Sequence, residues 1–267
     1  MPIRSMKIKV SQMNRRRAKE AGLTLIELLV VLAVLIALAG IVVPQLPNML
    51  TRSHSAAAST NIPELNKSVQ SFEQIYFKQP SNLDNLATDG ALVSYLPGAG
   101  AGLSTITLDA DTTAALTSAG ITGLSGLEAD GNGVAATFSP TINPYLAGEN
   151  VDLSTTDNAV VAGVPLAQIQ AKVRPGAAAG DVYAIFGIGQ KSELIGRTIS
   201  EAPIHFSDEA GQDAGTVYSR FGAIYKIANA AGALEKAEFV AVAAIHDDGI
   251  ETAADVNGEF FAANRLN

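Results

Sequence analysis

The chain has no cysteine and no tryptophan, and aromatic residues make up only 6% of its 267 positions. Without cysteine there is no disulfide framework, no thiolate zinc site and no cysteine nucleophile, while the redox compartment stays open. Few aromatics beside abundant Ala, Gly and Thr imply a core of modest density, β-rich and with long polar loops. Basic residues are scarce after position 22. Residues 1–22 hold seven (Arg4, Lys7, Lys9, Arg15, Arg16, Arg17, Lys19) against Glu20, so the whole-chain charge of −8 leaves −14 for Leu23 to Asn267. Nucleic-acid binding rests on Lys and Arg neutralising phosphates, so an acidic body argues against it. No internal repeat stands out.

One long hydrophobic run is present. Leu23 to Val43 offers 21 residues, of which Glu27 alone is ionisable. About 20 apolar residues suffice for a helix to cross a bilayer. The basic leader before it predicts that the N-terminal end stays cytoplasmic and the acidic body lies across the membrane. A carboxylate in such a run costs up to ~3 kcal/mol at mid-membrane and less near an end. Two ordinary readings leave that cost unexplained. A secretory signal would use Ala37-Leu38-Ala39 as its cleavage site before Gly40, yet Glu27 interrupts its apolar region and the run continues to Val43. A plain signal anchor tolerates Glu27 without using it.

The residues Gly22-Leu23-Thr24-Leu25-Ile26-Glu27-Leu28-Leu29 resemble the class III signal of type IV pilins and pseudopilins. The resemblance covers about the first fifty residues. It implies cleavage by a prepilin peptidase after Gly22, N-methylation of the new terminus at Leu23, and an assembly role for Glu27 as the fifth residue of the mature chain. Gly40 and Pro44 fall where the family softens its helix, and Pro44 must forgo a backbone hydrogen bond. Leu23 departs from the commoner phenylalanine or methionine. The chemistry agrees with the resemblance. A new α-amino group, with an unperturbed pKa of ~8, could pair with Glu27 of a neighbouring subunit and so join two opposite charges in apolar surroundings.

Downstream, Asn61-Ile62-Pro63-Glu64 has the spacing of a capping box with proline in the first turn, which predicts a kink or restart of the helix. Leu65, Val69, Phe72 and Tyr76 form one apolar helical face. Pro80 to Leu86 is similar to the proline and "LD-x-L" stretch that follows the long helix in secretion pseudopilins. Pro97 to Gly102 reads as a loop, and residues 98–165 as an expanded loop region with short pieces at Val134–Phe138 and Ala159–Val164. Val182–Ile188, Thr216–Ile227 and Ala237–Ile245 are strand candidates. Strands after a helix, without βα alternation, predict antiparallel pairing. The expected architecture is α+β: a leader (1–22), an N-terminal helix (23–78, membrane-spanning over 23–43) and a pilin-like domain (79–267).

Catalytic chemistry finds no support. Gly187 to Ser192 fails the phosphate-loop spacing, because Gln190 separates the glycine from Lys191. His54, His205 and His246 are scattered, and no G-x-S-x-G elbow exists. Calcium is the one candidate ligand. Glu128, Asp130 and Asn132 alternate before Gly133, but Ser139 occupies the bidentate position; Asp247, Asp248, Glu251, Asp255, Asn257 and Glu259 offer hard oxygens near the C-terminus. A solvated acidic loop is the plainer reading of both. The resemblance implies a filament subunit, a pseudopilin of a type II secretion system, in a single-pass inner-membrane position. Its partners would be related pilin-like subunits, the peptidase and an assembly platform. The alternatives are a true pilin or minor pilin (adhesion, motility or DNA uptake), and a bitopic anchor carrying a binding domain.

Overall fold

A computed structural model describes residues 25–43, 46–88, 90–100, 102–127, 151–156, 158–205 and 217–258. It separates into two compact units, Met1–Leu50 and Thr51–Asn267. In the first unit, Leu25–Val42 form helix α1, whose residues are all exposed. Its Leu- and Ala-rich composition favours the helix, and Gly40 is its weakest former. Eighteen residues rise about 27 Å, close to the thickness of a bilayer's hydrocarbon core. By length and composition α1 can cross a membrane.

Helix α2 runs from Leu46 to Tyr76 with Pro63 inside it. The expected restart at Asn61 is therefore absent. Pro63 cannot donate to the Ser59 carbonyl, but burial of the flanking residues holds the helix together through that gap. Ala58, Ile62, Leu65, Val69 and Phe72 are buried along one face. Their spacings of four and three are those of a helical stripe. Tyr76, expected on the same face, is 41% exposed.

Helix α2 ends in an unusual way. Phe77 has φ 55° and its N–H donates to the Glu73 carbonyl at 2.8 Å. This is a left-handed helix terminus of the kind glycine normally supplies. A side chain there costs roughly 1–2 kcal/mol, whereas glycine loses about 0.5–1 kcal/mol through its freer unfolded chain. Phe77→Gly should therefore raise the stability of the fold by up to about 1 kcal/mol, read from the urea midpoint. A lower midpoint would mean that the phenyl ring is held by packing the structure does not show.

The long strands of the main sheet are β8 (Val182–Gly187), β9 (Phe221–Asn229) and β10 (Gly232–His246), with β11 (Gly249–Glu251) at one edge. All of these pair antiparallel. Beyond β8 the sheet forks. Residues Tyr183 to Ile185 pair with β7 (Val160–Val164), which carries β4 (Ser104–Thr107), while Gly187 pairs with Asp84 of β1 (Leu83–Asn85). β1 then pairs in parallel with β5 (Gly123–Gly126), which is joined by β6 (Val151–Asp152). The main path through the sheet thus has the order β11-β10-β9-β8-β1-β5-β6. It is mixed rather than wholly antiparallel. A small hairpin, β2 (Ala87–Thr88) and β3 (Ala91–Leu92), stands apart.

Both faces of the sheet are buried, which is why its strands read as near-continuous apolar runs. Ala184, Phe186, Ala223, Tyr225, Val242 and Ala244 face the α2 stripe. Tyr183, Ile185, Ile224, Ala243 and Ile245 pack on the other side with Leu86, Val93, Leu96 and Tyr218. Asn66 of α2 fixes the helix against the sheet by accepting from Val242 N–H at 2.8 Å. That bond falls beside the register shift between Phe239 and Ala241.

The region expected to be an expanded loop contains more order than its composition suggests. Helix α3 (Ala110–Ala119) starts at Asp109, whose side chain accepts from Thr112 N–H, and ends at left-handed Gly120. Leu116 and Ala119 bring it into the α2-side core. Val134–Phe138 and the calcium-like stretch Glu128 to Ser139 lie outside the described residues.

Candidate functional site

Of the residues implicated in processing and assembly, Gly22, Leu23 and Pro44 lie outside the described residues. Glu27 occupies the first turn of α1. A carboxylate there is favoured by the helix dipole. Gly40 lies within α1, with open space around its Cα. What the helix offers chemically is a fully apolar cylinder with one acid close to its N-terminus.

The C-terminal acids are only partly brought together. His246, Asp247 and Asp248 each turn a ligand-type atom into a group no wider than 4.8 Å. His246 Nδ1 lies 2.5 Å from Asp247 Oδ1, 3.4 Å from Asp248 Oδ1 and 3.9 Å from Glu251 Oε1. Lys172 Nζ approaches Asp248 Oδ2 at 3.7 Å from outside. Asp255 is occupied elsewhere. It accepts from Thr252 N–H at 2.9 Å and Thr252 Oγ1 at 2.8 Å, capping the short helix 253–258. Calcium takes oxygen ligands. Here an imidazole nitrogen stands among the oxygens of Asp247 and Asp248, Asp255 serves a cap, and Glu259 lies outside the described residues. The turn itself is held by Gln168, whose Nε2 donates to the carbonyls of Gly102 (2.7 Å) and Asp248 (3.0 Å) and whose Oε1 accepts from Ile250 N–H (3.2 Å).

One polar group lies deep in the interior, and the sequence carries no signal for it. Asp84 of β1 is 4% exposed. Tyr218 Oη donates to its Oδ2 at 2.9 Å. Burial pushes the Asp84 carboxyl up to about 7, against the Tyr218 hydrogen bond and the positive charges of Arg220 and Lys191. Gly187 at the end of β8 and Gly189 in the turn after it make room for this group. A methyl at Gly189 would overlap the Asp84 carboxylate, and one at Gly187 the Tyr218 hydroxyl. This explains the glycines of the Gly187 to Ser192 stretch without any phosphate. Tyr218 N–H is fixed by the Tyr95 carbonyl at 2.7 Å, and Arg220 Nη1 donates to the Ala202 carbonyl.

Next to this group lies His205, 8% exposed, whose backbone N–H donates to Ser219 at 3.0 Å. Its Nε2 is buried without a hydrogen-bond partner. Burial, with smaller contributions from His246 and His54, lowers the imidazole to about 4, so it is neutral at ordinary pH. A second buried group is an ion pair: Lys226 Nζ meets Asp181 Oδ1 at 2.8 Å, and Tyr183 Oη donates to Asp181 Oδ2 at 3.0 Å. The Lys226 contact chiefly holds Asp181 below the usual carboxylate range.

Among the described residues, two of the grooves on the folded unit are notable for their size. One, of about 550 Å³, lies between α2 and residues 198–203; the other, of about 840 Å³, lies between α3 and residues 153–158. Neither is lined by Asp84 or His205. No protein family, curated relative or solved structure matches this chain.

Proposed function

We propose that this chain is a structural subunit of a type IV pilus-like filament, a pseudopilin of a type II secretion system. The observation that carries the reading is Glu27 in an otherwise uncharged helix that the chain leaves exposed along its whole length. An apolar helix of this kind is stable in a bilayer or in a bundle with copies of itself. The acid adds selectivity, because it favours a bundle that supplies a positive partner. In this proposal, a peptidase cuts after Gly22, and the amino group of Leu23 becomes that partner for Glu27 of a neighbour. The acidic domain then lies outside the cytoplasm, as the basic leader directs. Lack of cysteine favours a pseudopilin over a true pilin, since the resembled pilins commonly close a C-terminal loop with a disulfide.

The test is the N-terminus of the protein extracted from membranes. Mass spectrometry should find Leu23 as the first residue, carrying an N-methyl group, and a bulky residue at Gly22 should leave the precursor whole. A terminus at Gly40 would establish secretory cleavage and end the proposal. An uncut chain would point instead to a bitopic anchor.

A further inference from the structure

The chain's three histidines, far apart in sequence, converge on one part of the folded unit. His205 is buried, and its Nε2, shut off from water, has no hydrogen-bond partner. Its ring packs on Phe221 with 5.4 Å between centroids. His246 at the end of β10 and His54 of α2 both act on the ring, and both oppose its protonation. The segment that carries it, residues 202–205, lies against the start of β9. The Arg220 guanidinium donates to the Ala202 carbonyl, Ile204 forms an antiparallel bridge with Arg220, and His205 N–H donates to the Ser219 carbonyl at 3.0 Å. Arg220 thus adds a buried cation to this seam, while Glu201 of the same segment is exposed.

A proton on His205 places a charge in an apolar site among basic groups. Burying such a charge is costly, so the protonated ring favours water. We propose that residues 202–205 form an acid-sensitive latch: protonated His205 leaves its site, and the segment lifts from β9 while the sheet stays folded. Pro203 also lines the groove against α2, so release of the segment opens one wall of that groove. The inference does not depend on the filament reading.

Local and global opening respond differently to acid. Global unfolding exposes His205 and Asp84 together, and their pH slopes oppose each other. Lifting residues 202–205 exposes His205 alone. Asp84 stays in β1, paired with β5 and β8, and Tyr218 stays fixed by the Tyr95 carbonyl. The ring titrates near 4 in its site, against 6.5 as its ordinary value. The opening equilibrium of the segment should therefore rise about a hundredfold from pH 6.5 to pH 4.

Amide hydrogen exchange of the full chain in detergent, followed residue by residue by NMR and divided by the intrinsic rate at each pH, measures both reactions. The His205 amide should lose about a hundredfold of its protection between pH 6.5 and pH 4, whereas that of Ile224 in β9 should change less than about threefold. A flat His205 profile overturns the latch. So does a His205 profile that merely follows Ile224, because the ring is then freed by global unfolding. In His205→Gln the amide at position 205 should become insensitive to pH. An undiminished loss of protection there would place the sensing group elsewhere and also overturn the proposal. The two profiles of the parent decide the matter even where the variant does not fold.

Discussion

Between pH 4 and 6.5 the stability of the folded unit should be nearly insensitive to two buried groups that titrate there in opposite senses. His205 titrates near 4 when folded, against 6.5 as its ordinary value. In that interval the unfolded chain holds a proton that the folded one does not, so stability rises with pH. The contribution is fully present above 6.5 and is lost as pH falls towards 4. Asp84 titrates near 7 when folded, against 3.8. Here the folded chain keeps the extra proton, so stability is fully present below 3.8 and is lost as pH rises to 7. The shifts correspond to about 3 and about 4 kcal/mol respectively, and over their common interval the slopes cancel. Single substitutions should expose each slope. Asp84→Asn should gain about 3 kcal/mol of stability between pH 4 and 6.5 as pH rises, and His205→Phe should lose a similar amount. Urea midpoints of the full chain in detergent, taken as variant minus parent at each pH, give the two difference curves. Curves of the same sign, or two flat ones, would show that these groups are not insulated from water as their burial indicates.

Glu27→Ala should insert into the membrane and be processed as well as the parent, yet fail to assemble. Insertion loses a cost, because an apolar residue replaces a carboxylate in the span. In the proposed filament, assembly loses the partner of the neighbouring subunit's amino group. Breaking one member of a buried pair costs roughly 3–5 kcal/mol, which is a factor of more than a hundred in the association of each added subunit. Glu27→Gln keeps size and hydrogen-bonding capacity without the charge, and should fall between the two. Filament counts by electron microscopy, normalised to processed protein in the membrane, make the comparison. Parent-like counts for the alanine variant would leave the carboxylate as a tolerated charge and remove the pairing role.

How far these features could be read from the sequence depends on the range of the interaction. The α2 stripe at Leu65, Val69 and Phe72 follows from local periodicity, and the folded unit buries all three. The candidates Val182–Ile188, Thr216–Ile227 and Ala237–Ile245 fall on β8, β9 and β10 because the sheet is covered on both sides and its strands stay apolar, although β9 starts only at Phe221 and β10 already at Gly232. Helix α3 is hidden by its threonines, which are poor helix formers; its Asp109 to Thr112 cap is a local signal that marks it only in hindsight. The parallel pairing of β1 with β5 joins Leu-Asp-Asn to Gly-Leu-Ser-Gly, two segments with no β-branched residue between them. Asp84, Tyr218 and His205 are polar residues of ordinary appearance, spread over more than a hundred positions. Only the fold makes neighbours of them, through the Tyr218 to Asp84 bond and the His205 to Ser219 bond. Glu27 was legible for the opposite reason: a single charge contradicts everything around it.

The far edge of the sheet has a property of its own. β5 and β6 are neighbours at that edge, paired through Gly123 with Asp152 and Leu124 with Val151. Between Gly126 and Val151 the sequence inserts 24 residues. Loop closure entropy grows only with the logarithm of length, so doubling or halving such a connection changes its free energy by about 0.6 kcal/mol. Among the described strands β6 is the last on this path, so the two residues that flank the insertion lie side by side at one margin of the sheet. By chain entropy alone, joining two neighbouring edge strands costs little more for a long connection than for a short one, which makes this margin the place where the fold accommodates added length most cheaply.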